Sequence, residues 1–464
     1  MKPSGLLLLA AVSLSLTVAS PARTRPHYGG TLRVAIGEAP ASLDPAESTR
    51  SGSTIPPSLS RLIFDTLVTL DERGQAQPAL STSWQADPGY QRWQFGIRRG
   101  VAFHDGTTVS SDAVAASLRA ANPGWKVFAT GEAVVIECSA PTPDLPALLA
   151  LPRYGIAKRT GGKVIGSGAF AINRWEPGKK LALSARDDYW GGRAFLDAID
   201  IEMGKSFREQ MIALDLGKAD LVEIAPDQAR HAVLEGRRVV SSPPAEWMGL
   251  VFTRDIQSPE DGKLREALAL SIDRDSMNGV LLQGGGEAAG TLLPGWMSGY
   301  AFLFPTAIDL QRARQARDQA QQAPFWTLGY DASDPLARVI AERIALNARD
   351  VGITLRTLTF QSATSAADIR LVRLPLPSLD AWVALAELAG SLGVPQPKFD
   401  GDPQQSADAS TTYAAESLLL QSQRIIPLLH LRSAVALGAN VMGWREDPDG
   451  SWRLPDVWLE TEKP

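Results

Sequence analysis

Residues 84–118 contain, in this order, an aromatic segment, two glycine turns and a capped helix. This stretch of sequence constrains the fold more than any other. Residues 93–107 read WQFGIRRGVAFHDGT. Ser110 or Ser111 can cap the helix that follows, because a serine side chain accepts a hydrogen bond from the first-turn N–H groups. Asp112 adds negative charge at the positive end of the helix dipole. The sequence therefore predicts a strand, a turn and a helix.

A helix–strand unit is predicted further along the chain. Asp334 is placed to cap the helix, Pro335 fits its first position and Gly352 ends it. Residues 353–360 then read as a strand. Alternation of this kind predicts a layered α/β domain. Nearer the amino terminus, residues 59–70 are predicted to form a single helix.

Segment 1–22 is predicted to be a signal peptide. Lys2 supplies a positive start, and residues 6–18 form an apolar run that is too short to span a bilayer. Small residues up to Ala22 then offer a cleavage site. The one cysteine of the chain, Cys138, does not follow this run, so no cysteine is placed for lipid attachment. We therefore expect export to a periplasm, without a lipid anchor.

Composition and motif spacing argue against several classes of function. The chain of 464 residues has a net charge of −5, which offers a nucleic acid no electrostatic attraction. No histidine pairs with another at a metal-ligand spacing, and no Gly-x-Ser-x-Gly or phosphate-loop motif is present. His104 and Asp105 could bind a metal, but we interpret both as caps of the turn before the helix. We expect no metal, no cofactor and no catalysis; an exported enzyme with a scattered site is the less favoured alternative.

Several further motifs follow in a characteristic order. Residues 29–34 read GGTLRV, residues 42–45 read SLDP, residues 188–191 read DYWG and residues 264–274 read LREALALSIDR. With the segment at residues 93–107, these motifs resemble those of the solute-binding proteins that serve oligopeptide, dipeptide and nickel ABC importers. The resemblance covers about residues 29–360 and returns weakly near the carboxyl end.

This resemblance implies an α/β, two-lobed periplasmic-binding-protein-like fold of type II, with an extra subdomain in the first lobe. Lobe I would comprise residues 29–44, 160–246 and 428–464. The extra subdomain would comprise residues 45–159, and lobe II residues 247–427. Two crossing strands would join the lobes, and a hinge motion would enclose a solute between them.

The loop after the first strand is expected to face the solute. Glu38, Ala39, Pro40 and Ala41 match the family segment whose backbone faces the cleft. Family members hold extended peptides largely through main-chain hydrogen bonds, in the manner of an added strand. The alternative is that these residues form a simple turn.

Residues 247–253 are predicted to be a crossing strand with two aromatic side chains near the hinge. Trp247 and Phe252 could stack on a solute or could simply pack in the interior, and the sequence leaves both alternatives open. Family members often carry an asparagine where this chain has Phe252. One polar contact expected from the resemblance is therefore missing.

Residues 374–382 read LPLPSLDAW and lie closest to the family segment whose aspartate pairs with the amino terminus of a peptide. Asp380 could take that role, or it could cap a helix that begins near Trp382; we favour the cap. Arg370 and Arg373 could meet a ligand carboxylate. The surrounding segment, residues 361–425, is shorter than in the family.

The sequence as a whole predicts a monomeric, exported binding protein that delivers a peptide or a similar small solute to an ABC permease and its ATPase. No nucleic acid partner is expected. The alternative is a member of the family that keeps the fold and acts as an extracytoplasmic scaffold or sensor after losing transport.

Overall fold

The computed structural model describes residues 25–47, 55–300, 302–321, 325–360, 367–397, 408–445 and 447–460. The predicted signal peptide, residues 1–22, lies outside the described residues. Within the ranges given, no helix has the length and apolar character needed to cross a membrane.

The strands within these ranges are β1 (Thr31–Ala35), β2 (Val68–Leu70), β3 (Ala76–Pro78), β4 (Ser81–Ala86), β5 (Arg92–Ile97), β6 (Lys126–Thr130), β7 (Ala133–Glu137), β8 (Lys158–Thr160), β9 (Lys163–Ile165), β10 (Phe170–Glu176), β11 (Lys180–Ala185), β12 (Ala198–Glu202), β13 (Leu221–Ile224), β14 (Arg238–Phe252), β15 (Gly286–Ala288), β16 (Phe325–Asp331), β17 (Thr354–Phe360), β18 (Ile369–Pro375), β19 (Ile425–Leu437), β20 (Val441–Met442) and β21 (Trp458–Leu459). The helices are α1 (Pro57–Ile63), α2 (Ser111–Ala121), α3 (Leu145–Leu148), α4 (Phe207–Asp215), α5 (Ala229–Leu234), α6 (Pro259–Ser271), α7 (Arg274–Ser276), α8 (Gly295–Ser298), α9 (Leu310–Asp318), α10 (Pro335–Arg349), α11 (Ala381–Ser391) and α12 (Ala409–Gln421).

Two long antiparallel strands, β14 and β19, connect the two halves of an eleven-stranded sheet. The sheet follows the order β10-β11-β12-β1-β13-β19-β14-β18-β16-β17, and β15 also pairs with β19. Lobe I contains β1 and β10–β13 with α4 and α5. Lobe II contains β15–β18 with α6–α12. This two-lobed α/β arrangement confirms the predicted fold class. The predicted strand at residues 247–253 is the lobe II end of β14, which begins earlier, at Arg238.

The ladder between β14 and β19 is irregular where the chain passes from one lobe to the other. Ser241 pairs with Ala434, whereas Glu246 pairs with Leu431, so the register shifts between these positions. Segment 241–246 includes two prolines, which have no N–H to donate to a ladder. Bulges of this kind bend a strand and increase its twist. Segment 241–246 is therefore the natural bending point between the lobes, and we call it the hinge.

Separate hydrophobic cores lie in the two lobes and in a third unit. In lobe II, β14, β16 and β18 pack against α6 and α10 on one face, and β14 and β18 pack against α11 on the other. In lobe I, β1 and β10–β12 pack with α1. The four-stranded sheet β4-β5-β7-β6 packs against α2 and α3, and we call this third unit the subdomain. Ser110 caps α2, since its side chain accepts a hydrogen bond from the N–H of Ala113 at 3.2 Å, as predicted.

Two local predictions need correction. Residues 59–70 do not form one helix, because α1 ends at Ile63 and residues 68–70 form β2, which pairs with β3. His104 does not cap the turn before α2; its Nε2 lies 3.1 Å from the carbonyl oxygen of Gly168. Asp105 does cap its turn, accepting the N–H of Thr107 at 3.1 Å.

The carboxylate of Asp65 joins three separate segments of the chain. It accepts hydrogen bonds from Ser167 Oγ at 2.8 Å, from the Tyr189 hydroxyl at 2.8 Å and from Trp190 Nε1 at 3.1 Å. Burial raises the pKa of Asp65, and the three donors oppose that rise. A buried carboxylate with this many donors fixes the position of each of them.

Two closely packed glycines hold together the same segments that Asp65 joins. A Cβ at Gly166 would lie 1.9 Å from the carbonyl oxygen of Ile63, and a Cβ at Gly168 would lie 2.5 Å from that of Leu62. Any side chain at either position would separate α1 from this segment. The Gly-Ser-Gly motif is therefore a packing motif.

We predict that Asp65→Ala lowers the free energy of unfolding by about 3 kcal/mol, because three buried donors lose their acceptor. The melting temperature measured by circular dichroism should fall accordingly. Asp318→Ala, which removes an exposed carboxylate on α9, is the matched control and should leave it almost unchanged. Equal melting temperatures for the two variants would contradict the structural role of Asp65.

Candidate functional site

The carboxyl ends of parallel strands from both lobes open onto one interlobe region. In lobe I, β1 runs parallel to β12 and β13, so their carboxyl ends share one edge. In lobe II, β16 runs parallel to β17 and β18. Open α/β sheets bind ligands in crevices at such edges. The two edges therefore define the candidate site.

The predicted loop of Glu38, Ala39, Pro40 and Ala41 lies at the lobe I edge, directly after β1. The carbonyl oxygens of Glu38 and Pro40 accept hydrogen bonds from glycine N–H groups of two neighbouring turns, at 3.2 and 3.0 Å. Glu38, Ala39 and Ala41 are exposed, whereas Pro40 is buried. Part of the backbone is thus used to hold the loop in place, and the Glu38 side chain faces the cleft.

Carboxylates gather around the Glu38 side chain. Although part of the Glu38 side chain stays accessible, desolvation by the surrounding protein raises its pKa to about 7. The nearby carboxylates of Glu223 and Glu246 raise this pKa as well, and Arg373 opposes them. Burial also raises the pKa of Glu223. Glu223 is held in position because its Oε2 accepts the N–H of Gly37 at 2.9 Å. The lobe I edge therefore carries one carboxyl group, that of Glu38, whose charge changes near neutral pH.

Arg373 is engaged by two carboxylates. Its Nε donates to Glu246, and its Nη1 lies 3.6 Å from Asp334 Oδ2. Asp334 also caps α10 as predicted, accepting the N–H of Leu336 at 2.9 Å. Arg370 lies at an odd spacing from Arg373 on β18, so the two side chains point to opposite faces of the sheet. The two arginines therefore cannot bind one ligand carboxylate together.

A cavity of about 510 Å³ lies between the lobes beside Arg373. Its polar lining includes Glu223 from lobe I and Asp334 and Arg373 from lobe II. Its apolar lining includes Phe207 on α4 and Val339 on α10. Its walls thus come from both lobes, as enclosure of a solute requires.

We did not predict a contribution from α4 and α5, which form the lobe I wall of the cavity. A usable signal was present in the Gly-x-x-Asp motif of residues 217–220, which leads into β13. Once β13 is placed parallel to β1, Glu223 must lie near Glu38 at the same edge.

Trp247 and Phe252 are packed in the interior of lobe II, which is one of the two alternatives left open by the sequence. Each side chain is only 2% exposed. Trp247 lies in the cluster beneath α11. Phe252 packs edge-on against Trp326, with ring centroids 5.3 Å apart, and the guanidinium of Arg265 lies 4.1 Å from its ring centroid. Neither ring is open to a solute in this conformation.

Asp380 caps α11, because its Oδ1 accepts the N–H of Val383 at 2.9 Å. Burial raises the pKa of Asp380, and this hydrogen bond opposes the rise. Trp382, in the first turn of α11, is buried. The cap that we favoured over an ammonium-binding role is therefore present. Among the described residues, no group of three or more His, Cys, Asp or Glu side chains is placed to hold a metal ion.

Comparison with known families agrees with this architecture. The model for bacterial extracellular solute-binding proteins, family 5 Middle, matches residues 75–374. The chain belongs to this family. Its members are bacterial extracellular solute-binding proteins.

Individual relatives of this family member share modest identity with it. The oligopeptide-binding protein AppA of Bacillus subtilis is 24% identical over 350 residues, which span 68% of this chain and 63% of AppA. The probable D,D-dipeptide-binding periplasmic protein DdpA of Escherichia coli is 24% identical over 370 residues, which span 71% of this chain and 70% of DdpA. The crystal structure of NikA from Brucella suis, in complex with Fe(III)-EDTA, superposes with a TM-score of 0.79 at 18% identity, over 93% of this chain and all of NikA.

The folded protein should lose stability as the pH rises from about 5 to about 8. We predict that Glu38→Gln makes this loss smaller. The folded protein raises the pKa of Glu38 from its ordinary value of 4.5 to about 7. Protonated Glu38 therefore contributes its full stabilisation of the folded protein below about pH 4.5. This contribution is lost as the pH rises through about 7. Glutamine stays neutral throughout, so the melting temperature of the variant should fall less over this range.

Glu72→Gln, at an exposed glutamate outside the cleft, is the control for this measurement. It should reproduce the pH profile of the unaltered protein. If Glu38→Gln also reproduces that profile, the carboxyl group of Glu38 is not the one that titrates in the cleft.

Proposed function

We propose that this chain is the extracytoplasmic solute-binding component of an ABC importer and that it encloses a peptide or a similarly sized solute between its lobes. The cavity of about 510 Å³ between the carboxyl ends of parallel strands carries this proposal. Because its walls belong to two lobes joined by a hinge, a solute can contact both walls only when the lobes are together. Binding is then coupled to closure through the higher affinity of the closed form.

The nature of the solute is inferred from the lining and from the relatives. AppA and DdpA are named for oligopeptide and D,D-dipeptide binding. The cavity offers an apolar wall from Phe207 and Val339 and charged groups from Glu223 and Asp334, which suits a small amphipathic solute such as a short peptide. Glu38 and Ala39 are the residues of the predicted loop that we propose for contact with it.

Delivery of the solute to an importer requires a cellular location outside the cytoplasm and membrane partners. We propose that segment 1–22 directs export to the periplasm, that the protein acts as a monomer, and that it passes its solute to a permease and an ATPase. The proposed domain boundaries remain those predicted: residues 45–159 for the extra subdomain and residues 247–427 for lobe II.

Addition of a mixed pool of short peptides should raise the melting temperature of the purified protein. A solute at 100 times its Kd stabilises the folded protein by about 2.7 kcal/mol. The same pool should reduce the radius of gyration measured by small-angle X-ray scattering, because the lobes close on the solute.

The Glu223→Gln and Asp318→Ala variants provide the contrast for this experiment. The first alters the lining of the cavity and should reduce the thermal shift, whereas the second alters only the surface of lobe II. Absence of any shift with peptide, amino acid and sugar pools would contradict importer function and favour the scaffold or sensor alternative.

A further inference from the structure

Helix α11 of lobe II packs directly on the subdomain. Val383, in the first turn of α11, is 0% exposed and belongs to the same hydrophobic cluster as Leu67, Leu145 and Leu149. These three leucines lie within residues 45–159, the span predicted for the subdomain. A lobe II side chain therefore completes a hydrophobic core in the subdomain, and moving lobe II away would expose that core to water.

An ion pair joins the same two units. Both terminal nitrogens of Arg153 donate to the carboxylate of Glu387 on α11, one of them at 2.8 Å. The two side chains are only 21% and 17% exposed. The guanidinium of Arg153 also lies 4.8 Å from the ring centroid of Tyr154. An arginine that makes two bonds and rests on a ring is held in one geometry, so the pair fixes α11 against this part of the chain.

The backbones of the two units approach each other closely beside these side chains. A Cβ at Gly74, in the turn between β2 and β3, would lie 2.4 Å from the carbonyl oxygen of Leu379. Leu379 immediately precedes Asp380, the cap of α11. The turn and the amino end of α11 are therefore in direct contact. We call Arg153, Val383 and Glu387 together the clasp.

The clasp crosses the boundary that the hinge moves. Asp65 accepts hydrogen bonds from Ser167 and Tyr189, which ties the subdomain to lobe I. Lobe II joins the sheet of lobe I through β14 and β19, whose irregular segment is the hinge. Bending of the hinge to open the cleft must therefore separate α11 from the subdomain and break the clasp.

The cavity lies by a different face of lobe II. Met248 packs in the core shared with α10, whereas Trp247 packs in the cluster shared with α11, so the two helices cover opposite faces of the sheet. Helix α10 contributes Val339 to the cavity lining. Among the described residues that line the cavity, none belongs to the clasp. The clasp therefore favours closure through contacts between protein groups alone.

We propose that the clasp maintains a population of the closed form in the absence of solute, in equilibrium with an open form. The closed form has these contacts and the open form lacks them, so their free energy shifts the equilibrium toward closure. Because the cavity has both of its walls only in the closed form, the clasp also raises the apparent affinity for a solute that it does not touch. This inference goes beyond the proposed function, since it concerns the protein before a solute binds.

Pulsed dipolar electron paramagnetic resonance on the whole mature protein tests the equilibrium without any added solute. Nitroxide labels are attached through Ala116→Cys on α2 and Leu418→Cys on α12, two exposed positions, in a Cys138→Ser background. Native mass spectrometry first verifies that the sample carries no bound small molecule. We expect a shorter label separation from the closed form and a longer one from the open form. Absence of the shorter separation would overturn the proposal.

Charge reversal assigns the closed population to the clasp. Arg153→Glu sets two carboxylates against each other and should lower the ratio of closed to open protein about tenfold or more. Adding Glu387→Arg to this variant restores opposite charges and should recover most of the ratio. Arg99→Glu is the matched control, because Arg99 forms an exposed ion pair with Glu132 inside the subdomain. It should leave the ratio unchanged.

Val383→Ala provides a second measurement that does not depend on charge. It shortens the side chain that enters the subdomain core and should lower the ratio about threefold or more. Circular dichroism melting curves check that each variant is folded. If folded Arg153→Glu and Val383→Ala proteins both keep the ratio of the unaltered protein, the clasp does not hold the lobes together. Since no solute is added, that result is independent of whether the proposed function is correct.

Discussion

The hydrogen-bonded ladder between β14 and β19 is the constraint on which the rest of the structure depends. Within the described residues, the strands of lobe II join the sheet of lobe I through this pair. Regular backbone pairing resists bending along most of its length, while the shifted register and two prolines in the hinge weaken it in one place. The relative position of the lobes is therefore determined by a short segment, and both walls of the cavity move as that segment bends.

Charge is concentrated beside this bending point. Glu246 lies at the end of the hinge, binds Arg373 of lobe II and accepts a hydrogen bond from Ser433 of β19 at 3.3 Å. Glu38 and Glu223 approach the same group from lobe I. Bending of the hinge must change the separation of these charges, so the electrostatic energy of the cleft depends on how far it is closed. Arg373, which could meet a ligand carboxylate, pairs with the protein carboxylates of Glu246 and Asp334 in this structure.

Local structure could be predicted from the sequence where short-range hydrogen bonds determine it. The caps at Ser110, Asp334 and Asp380 each depend on one side chain and the N–H groups two or three residues further on.

The packed state of Trp247 could not be predicted, since it depends on α11, which follows more than a hundred residues later. The end of α1 was missed for a similar reason: the pairing of β2 with β3 overrides a helical pattern. The cavity wall from α4 and α5 required knowledge of strand order, which no local pattern contains.

The junction at Asp65 has a consequence for how many independent bodies the molecule contains. Three hydrophobic cores would suggest three parts that can rotate separately. Yet Asp65, in the span assigned to the subdomain, accepts hydrogen bonds from Ser167 and Tyr189 of lobe I, and two glycines leave no gap there. That boundary therefore holds the subdomain and lobe I together as one body. We expect the hinge to move lobe II relative to both of them at once.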